Sequence, residues 1–495
     1  MNPRPIIAIC GTTGVGKSNL AVDLALHLSR GFLSWSGARV INADAMQVYR
    51  GMDVITNKIP ESEKHGVEHL LMGFKEPGEQ YVVGQWINDA LKAIEETHRR
   101  NEVPIIVGGT SYWIQHLVFP GLLVSEGSPS LATPHLGTST EPPSQENFRP
   151  QSNLLAHSIS LLKSDLLELF TNLPSQPPSA STDSSAAWKL YTLLSELDPV
   201  IASQWHWRDT RKVHRSLQII KETGKRASEI AAEQSKVGTW GTPRFRTLIF
   251  WLYSEPSALA ERLNSRVDRM IQQGLLEEVQ SLREISVGPG KGEVALVPNY
   301  TLGIYQAIGY REFNEYLTAE SPTDAALTNA VERMKISTRQ YAKRQISWIR
   351  NKLLPAIKRA NNRTPNSVPI YLLDATVEPG ESWESGVKQQ AIEIMQDFLE
   401  QRTLRDPHTT SELASTILAV DDESKDPTVT SQRPRKITCP ICTTQPDRPF
   451  MVNDGPEWRA HEHTRTHRRL AAKRANMNLG HQHISVNDDG PNTGR

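Results

Sequence analysis

Short apolar runs at residues 6–10, 40–43, 105–107, 248–252 and 370–373 are separated by stretches whose apolar residues recur every three or four positions. Continuous runs of this length suit strands covered on both faces, and the longer-period stretches suit helices, so the pattern predicts an α/β fold built on a parallel sheet with helices on both faces. The first run passes straight into a glycine-rich segment, after which Leu20, Leu24 and Leu28 repeat at helical spacing. That is strand, loop, helix. Helical periodicity also fills most of residues 198–352, interrupted by the run near Leu248. Residues 121–185 and 401–435 are rich in Ser, Thr and Pro with little sustained periodicity, which predicts linker or disorder. The leucines of residues 154–173 are the exception and predict a helix.

Composition narrows this picture. A chain of 495 residues predicts two or three compact units. Hydrophobic residues at 38% and charged residues at 22%, with no apolar run long enough for a membrane span, suit a water-soluble protein without a membrane partner. The formal net charge is zero, so any affinity for nucleic acid must come from local clusters of Lys and Arg. Three cysteines cannot build a disulfide framework and predict a reducing compartment. The glycine loop starts at Gly11, leaving little room before it for a cleavable leader. The expected location is cytoplasmic, with mitochondrial and nuclear pools left open.

Candidate chemistry begins in that loop. Gly11, Thr12, Thr13, Gly14, Val15, Gly16, Lys17 and Ser18 match the P-loop pattern G-x-x-x-x-G-K-[ST]. In such a loop, backbone N–H groups converge on phosphate oxygens at a helix N-terminus; Lys17 adds charge and Ser18 can ligate Mg²⁺. The motif alone does not separate kinases, NTPases and other phosphate-handling proteins. Asp44 follows the second run, where a parallel sheet opens towards its ligand, and there a carboxylate can hold Mg²⁺, cap a loop or act as a general base. The third run ends in Gly108, Gly109 and Thr110, which allow close backbone approach and place a hydroxyl at the same mouth, or form a tight turn.

Arg208, Arg211, Lys212 and Arg215 line one side of a predicted helix, and Lys335, Arg339 and Lys343 repeat at intervals of four. Such stripes are either solvated surface or nucleic-acid contacts. Cys439 and Cys442, followed by His461 and His467, supply two thiolates and two imidazoles, a tetrahedral zinc set; His463 with His467 is a competing pair.

Taken together, the segments 11–18, 41–53, 107–110, 206–215, 262–279, 306–311 and 338–350, with the Cys/His cluster, resemble the tRNA dimethylallyltransferase (tRNA isopentenyltransferase) family in its eukaryotic form. The resemblance implies a P-loop NTPase-like catalytic core, a mainly helical tRNA-binding region and a small C-terminal zinc finger. It also implies transfer of a dimethylallyl group from dimethylallyl diphosphate to N6 of the adenosine next to the anticodon, with Mg²⁺ at the diphosphate and structural Zn²⁺ in the finger. Asp44 matches the family's general base, Thr110 a contact on the diphosphate side, and Arg266 a pyrophosphate ligand. Leu259, Leu263, Val267 and Ile271 leave Arg262, Arg266 and Arg269 off the apolar stripe of one helix predicted over residues 256–279, in keeping with that role.

Contacts to the tRNA anticodon stem-loop are implied for Asp44, Ala45, Met46 and Gln47, for Arg211, Lys212, Val213, His214 and Arg215, and for Gln306, Ala307, Ile308, Gly309, Tyr310 and Arg311. Trp458 before His461 is similar to eukaryotic members and favours His461 with His467 as the metal pair. The expected organisation is 1–120, first part of the core; 121–187, a partly disordered insertion; 188–400, the helical region and the rest of the core; 401–436, linker; 437–475, finger; and 476–495, disordered tail. A monomer is expected. Two departures stand out. His206, Trp207, Arg208 and Asp209 replace the family's His-Pro-Asn-Asp, and residues 121–185 do not match the family's helical insertion. An adenylate isopentenyltransferase and a small-molecule kinase share the loop, but neither explains the finger or the basic helices.

Overall fold

The computed structural model describes residues 4–31, 34–120, 148–236, 242–287, 303–376, 383–419 and 435–484. They fall into two units: residues 148–236 with 435–484 form one, and the rest form the other.

The larger unit is built on strands β1 (Pro5–Gly11), β2 (Gly37–Asn42), β3 (His69–Leu70), β4 (Glu102–Val107), β5 (Arg246–Tyr253) and β6 (Ile370–Asp374). All pair in parallel in the order β3-β2-β4-β1-β5-β6, with Ile7 level with Ile105 on one side and Leu248 on the other. Every residue of β1 is buried, as its unbroken apolar sequence requires. Ile6, Ala8 and Cys10 face a layer that includes Trp86, Ile94, Ile114 and Met334. Ile7 and Ile9 face Leu20, Leu24 and Leu28 of the helix Lys17–Ser29 and Met395 of the helix Gln390–Leu399. The five apolar runs are therefore strands between two helical layers, four of them central and β6 at one edge of the sheet. β3, with only two residues, has no apolar run to announce it.

Three expectations change. The single helix predicted over residues 256–279 is two, Pro256–Gln272 and Leu275–Val287, parted at Gly274, whose φ of +94° leaves the helical region. Residues 401–419, read as linker, hold a 3₁₀ turn at Pro407–Thr409 and a helix at Glu412–Leu418. Ser411 Oγ caps that helix by accepting from Ala414 N–H at 3.0 Å, and Ala414 and Leu418 join the core. Third, residues 148–185 are not disordered; residues 121–147 and 420–434 lie outside the described residues.

In the smaller unit the leucines of 154–173 form two helices, Asn153–Ser160 and Ser164–Thr171, instead of one. Leu155, Leu166 and Phe170 pack with Leu190, Leu194 and Leu197 of the helix Ser184–Leu197, and with Val213, Leu217 and Ile220 of the helix Thr210–Thr223. Met451, from a hairpin of β7 (Lys436–Thr438) and β8 (Met451–Asn453), enters the same core. Trp207, one of the departures from the family pattern, is 1% exposed, and its indole N–H donates to the Pro449 carbonyl at 2.8 Å. The helix Arg465–Ile484 reaches into the stretch expected to be a disordered tail; residues 485–495 lie outside the described residues.

Candidate active site

Because the chain leaves β1 for β2 and returns through β4, the carboxyl ends of β2, β4 and β1 lie side by side, the position where open α/β sheets take ligands. A cavity of about 510 Å³ opens there, lined by Thr13 to Asn19, Asp44, Gln47, Gly108, Gly109, Arg262, Arg266, Arg269 and Trp383, among others. Five cationic side chains, Lys17, Lys58, Arg262, Arg266 and Arg269, face it against two carboxylates, Asp44 and Glu63. That balance favours an anion.

The P-loop is positioned from several directions. Gly14 and Gly16 take φ of +83° and +82°, which turns the loop so that the helix Lys17–Ser29 starts at the cavity. Lys17 Nζ donates to the Thr12 carbonyl at 2.6 Å, and Arg266 NH1 donates to Thr13 Oγ1 at 2.6 Å. Removal from water pushes the Lys17 ammonium down to about 8, with Asp44 opposing the shift and Arg266 adding to it. The same loss of water, opposed by Asp44, brings Arg266 down to about 10. An anionic ligand would relieve both.

Asp44 stands on a short hydrogen-bonded frame. Its N–H donates to Asn42 Oδ1 at 3.1 Å, and its Oδ1 accepts from Met46 N–H at 2.9 Å. Asn42 is itself fixed, its carbonyl accepting from the Trp86 indole at 2.8 Å. Thr110 Oγ1 accepts from Ala45 N–H at 3.1 Å, so its own proton remains available to donate. The cavity wall is formed by Gly108 and Gly109, with Thr110 one residue beyond.

Gly108 has no room for a side chain, since a Cβ there would lie 2.1 Å from the Ala43 carbonyl oxygen, a backbone atom. Gly108→Ala is therefore expected to cost about 1–3 kcal/mol of stability, as overpacking does. It should also displace Asp44 enough to lower turnover at least tenfold, checked by denaturant titration and a transfer assay. Unchanged stability and turnover would show that the Ala43 carbonyl and Gly108 have room to part.

Side chains remote in sequence complete the site. Gln345 Oε1 accepts from Thr13 N–H at 2.9 Å and its Nε2 donates to the Gly109 carbonyl at 2.9 Å, linking the loops after β1 and β4. The sequence carried one signal for it: Met334, Thr338, Ala342 and Gln345 form the buried stripe of the helix Asp324–Trp348, and an amide on such a stripe needs partners. Tyr341 lies on the same helix, its phenol pushed upward by burial and by Asp44. Glu278 accepts from the N–H groups of Asp53, Val54 and Ile55, each at 2.8 Å, anchoring the segment after Gln47.

The residues with implied tRNA contacts divide by exposure. Ala45, Met46 and Gln47 are half-buried, and Gln47 Nε2 donates to the carbonyls of Thr56 and Asn57 at 3.2 and 3.1 Å. Gln306 and Arg311 are exposed and Ile308 half-buried, whereas Ala307, Gly309 and Tyr310 are buried. In the smaller unit Arg211 and Lys212 are exposed and Arg215 half-buried. Val213, by contrast, is core, and His214 is buried with Nε2 against the Pro174 carbonyl at 2.6 Å. Lys212 also lies 4.9 Å from the centre of the Trp205 ring and pairs with Asp209 at 2.5 Å. In the second basic stripe Lys335 pairs with Asp268 at 2.8 Å and Arg339 bonds Asn264 Oδ1, whereas Lys343 is exposed.

Cys439, Cys442, His461 and His467 present donor atoms all within 4.8 Å of one another, the only set of three or more such ligands among the described residues. His461 is buried on the last turn of the helix Pro456–Glu462; His463 is exposed and its Nδ1 bonds Arg468 at 3.0 Å. The competing pair is thereby excluded from the cluster. Phe450 stacks on His461 at 4.7 Å between ring centres, and Trp458 lies 5.8 Å from His461, shielding the donors. No helix of the described residues is long and apolar enough to cross a membrane.

Fold and site thus define a P-loop protein whose phosphate loop faces a carboxylate across a cationic cavity. The IPP transferase family model matches residues 47–156 and 159–352. A tRNA dimethylallyltransferase of Schizosaccharomyces pombe is 32% identical, over 98% of this chain and 99% of its own. That of Saccharomyces cerevisiae is 33% identical, over 94% of this chain and 91% of its own, and the human one is 32% identical, over 80% and 75%. A solved structure of a eukaryotic dimethylallyltransferase acting on tRNA superposes with a TM-score of 0.69 at 30% identity, covering 98% of this chain and 100% of that one. The chain belongs to the IPP transferase family.

Proposed function

We propose that the chain transfers a dimethylallyl group from dimethylallyl diphosphate to N6 of the adenosine 3′-adjacent to the anticodon in tRNA, releasing pyrophosphate. The observation that carries this reading is the meeting of the P-loop, Arg266 and Asp44 in one cavity. A kinase would use the loop for phosphoryl transfer, whereas here a carboxylate faces the phosphates as a proton acceptor for an incoming nucleophile.

In this reading the diphosphate lies on the loop N–H groups with Lys17 and Arg266 as counter-charges, and the five-carbon chain lies against apolar side chains of the same cavity, among them Val40, Met72, Val107 and Met270. The adenine leaves its stack to reach the allylic carbon. As the C1–O bond breaks, its electron pair passes to pyrophosphate, which the fixed cations stabilise. The N6 lone pair forms the new C–N bond, and the N6 proton goes to Asp44 Oδ2, which has no hydrogen-bond partner among the described residues. Thr110 holds Ala45 and donates towards the diphosphate side.

Among the described residues, no set of three or more His, Cys, Asp or Glu donors close enough to hold one metal ion lies at the cavity. Ser18, which lines the cavity, suits Mg²⁺, an ion that keeps several waters and takes ligands from phosphates. When bound, Mg²⁺ would help neutralise the departing pyrophosphate. The clustered thiols and imidazoles suit structural Zn²⁺. The exposed Arg211 and Lys212, and Arg465, Arg468, Arg469 and Lys473 of the helix Arg465–Ile484, support contact with the anticodon stem-loop backbone.

Purified protein incubated with dimethylallyl diphosphate or ATP, and with tRNA or AMP, tests the reading after digestion and nucleoside mass analysis. Prenylated adenosine in tRNA is the expected product. Prenylated AMP alone would favour the adenylate enzyme, and ATP consumption alone a kinase.

A further inference from the structure

Loops of this pattern commonly hold nucleoside di- and triphosphates, so some feature of this chain must select a prenyl diphosphate. The two ends of the loop differ. At Thr13, Arg266 and Gln345 converge, and Gln345 continues to Gly109, where a Cβ would lie 3.2 Å from Asp44 Oδ2. The proton acceptor belongs to that end. At the other end Gly16 caps the helix Lys17–Ser29, and a Cβ built on it would lie 2.5 Å from Cη2 of Trp383. Trp383 is 8% exposed, lines the cavity and packs in the same core layer as that helix.

Contacts earlier and later in the chain than Trp383 also reach the loop and its helix. Before it, Arg262 donates to the carbonyls of Ala375 and Thr376 at 3.0 Å each, and to that of Gly14 in the loop at 3.3 Å. After it, Lys388 pairs with Asp23 of the helix Lys17–Ser29 at 3.3 Å. The indole thus lies against the phosphate loop where its helix begins.

We propose that Trp383 is a specificity-determining residue: it admits a terminal phosphate at the Gly16 end of the loop and excludes one that carries a nucleoside. The inference rests on the proposed function, because Asp44 as base places the reacting carbon at the Thr13 end and so sends the terminal phosphate under the indole. A terminal phosphate needs no exit there. A nucleotide seated with its α-phosphate at the Gly16 end must continue into ribose there, against the indole. The ligand class is a diphosphate monoester of a small apolar alcohol, together with pyrophosphate itself.

Equilibrium binding of pyrophosphate, dimethylallyl diphosphate, ADP and ATP to the full chain in the presence of Mg²⁺ tests this. The wild-type protein should bind the first two at least tenfold more tightly than the nucleotides. Trp383→Ala should narrow that ratio at least tenfold, whereas Trp383→Phe, which keeps an aromatic wall, should largely preserve it. Trp383→Leu, which keeps apolar packing but not the ring's reach, carries the same expectation as alanine should the alanine variant fail to fold. Equal wild-type affinity for ATP and pyrophosphate, or an unchanged ratio in a folded alanine or leucine variant, overturns the proposal. Failure of pyrophosphate and dimethylallyl diphosphate to bind at all would instead overturn the assignment of the loop.

Discussion

Asp44→Asn is expected to leave tRNA binding within a few-fold of wild type and to lower kcat for prenyl transfer by about 10²–10⁴-fold, the range that a positioned general base contributes. The substitution is close to isosteric, and an asparagine keeps the oxygen that accepts from Met46 N–H and the N–H that donates to Asn42. What it removes is a proton acceptor and one negative charge. The charge loss acts in two directions on the diphosphate: it lifts a repulsion, and it withdraws support from the ammonium of Lys17, which Asp44 holds in its charged form. These partly cancel, so the defect should fall on kcat more than on KM for dimethylallyl diphosphate. Steady-state kinetics in both substrates separate the cases. Retained turnover would remove Asp44 as the base, and a large rise in KM with unchanged kcat would make it a binding residue.

The second large effect is expected at the Cys/His cluster. Cys439→Ala, or treatment with a strong chelator, should release about one zinc per chain and unfold the hairpin and the helix Pro456–Glu462. Structural zinc sites of this composition supply about 10–16 kcal/mol of apparent binding free energy that is also folding free energy, whereas β7 and β8 have three residues each and little core of their own. Hydrogen exchange should show lost protection over residues 435–474, and tRNA affinity should fall at least tenfold while pyrophosphate binding by the larger unit persists. Full protection in metal-free protein would mean that the finger folds through its contacts with the helices alone.

Much of the site was legible because its determinants are local. Residues 11–18 carry their own geometry, and Asp44 and Gly108 follow apolar runs whose meaning as buried strands is direct. Gln345 was legible only as an amide on a buried stripe, not in its partner, since it meets Thr13 across 332 residues and no local pattern encodes that meeting; Trp383 carried no such signal. Residues 401–419 were misread for another reason. Leu413, Ala414, Ile417 and Leu418 form one helical stripe, but it is too short to register against the surrounding Ser and Thr. Residues 154–173 read as one helix because leucine spacing continues across Leu161 to Lys163, where the chain turns between two shorter ones. The metal pair was open in the residues themselves. The helix Pro456–Glu462 decides it, burying His461 and leaving His463 beyond its last turn.

The hydrogen bond from Trp207 to Pro449 closes over 242 residues, and Met451 fills part of the same helical core. During synthesis, at about 5–20 residues per second, the helices of residues 148–236 emerge well before the segment that satisfies the Trp207 donor and covers their core. For tens of seconds or less the nascent unit therefore exposes an incomplete apolar surface. Ribosome stalling or premature termination ahead of Pro449 would leave that surface uncovered, a substrate for chaperones and proteases even though the phosphate loop had already been made.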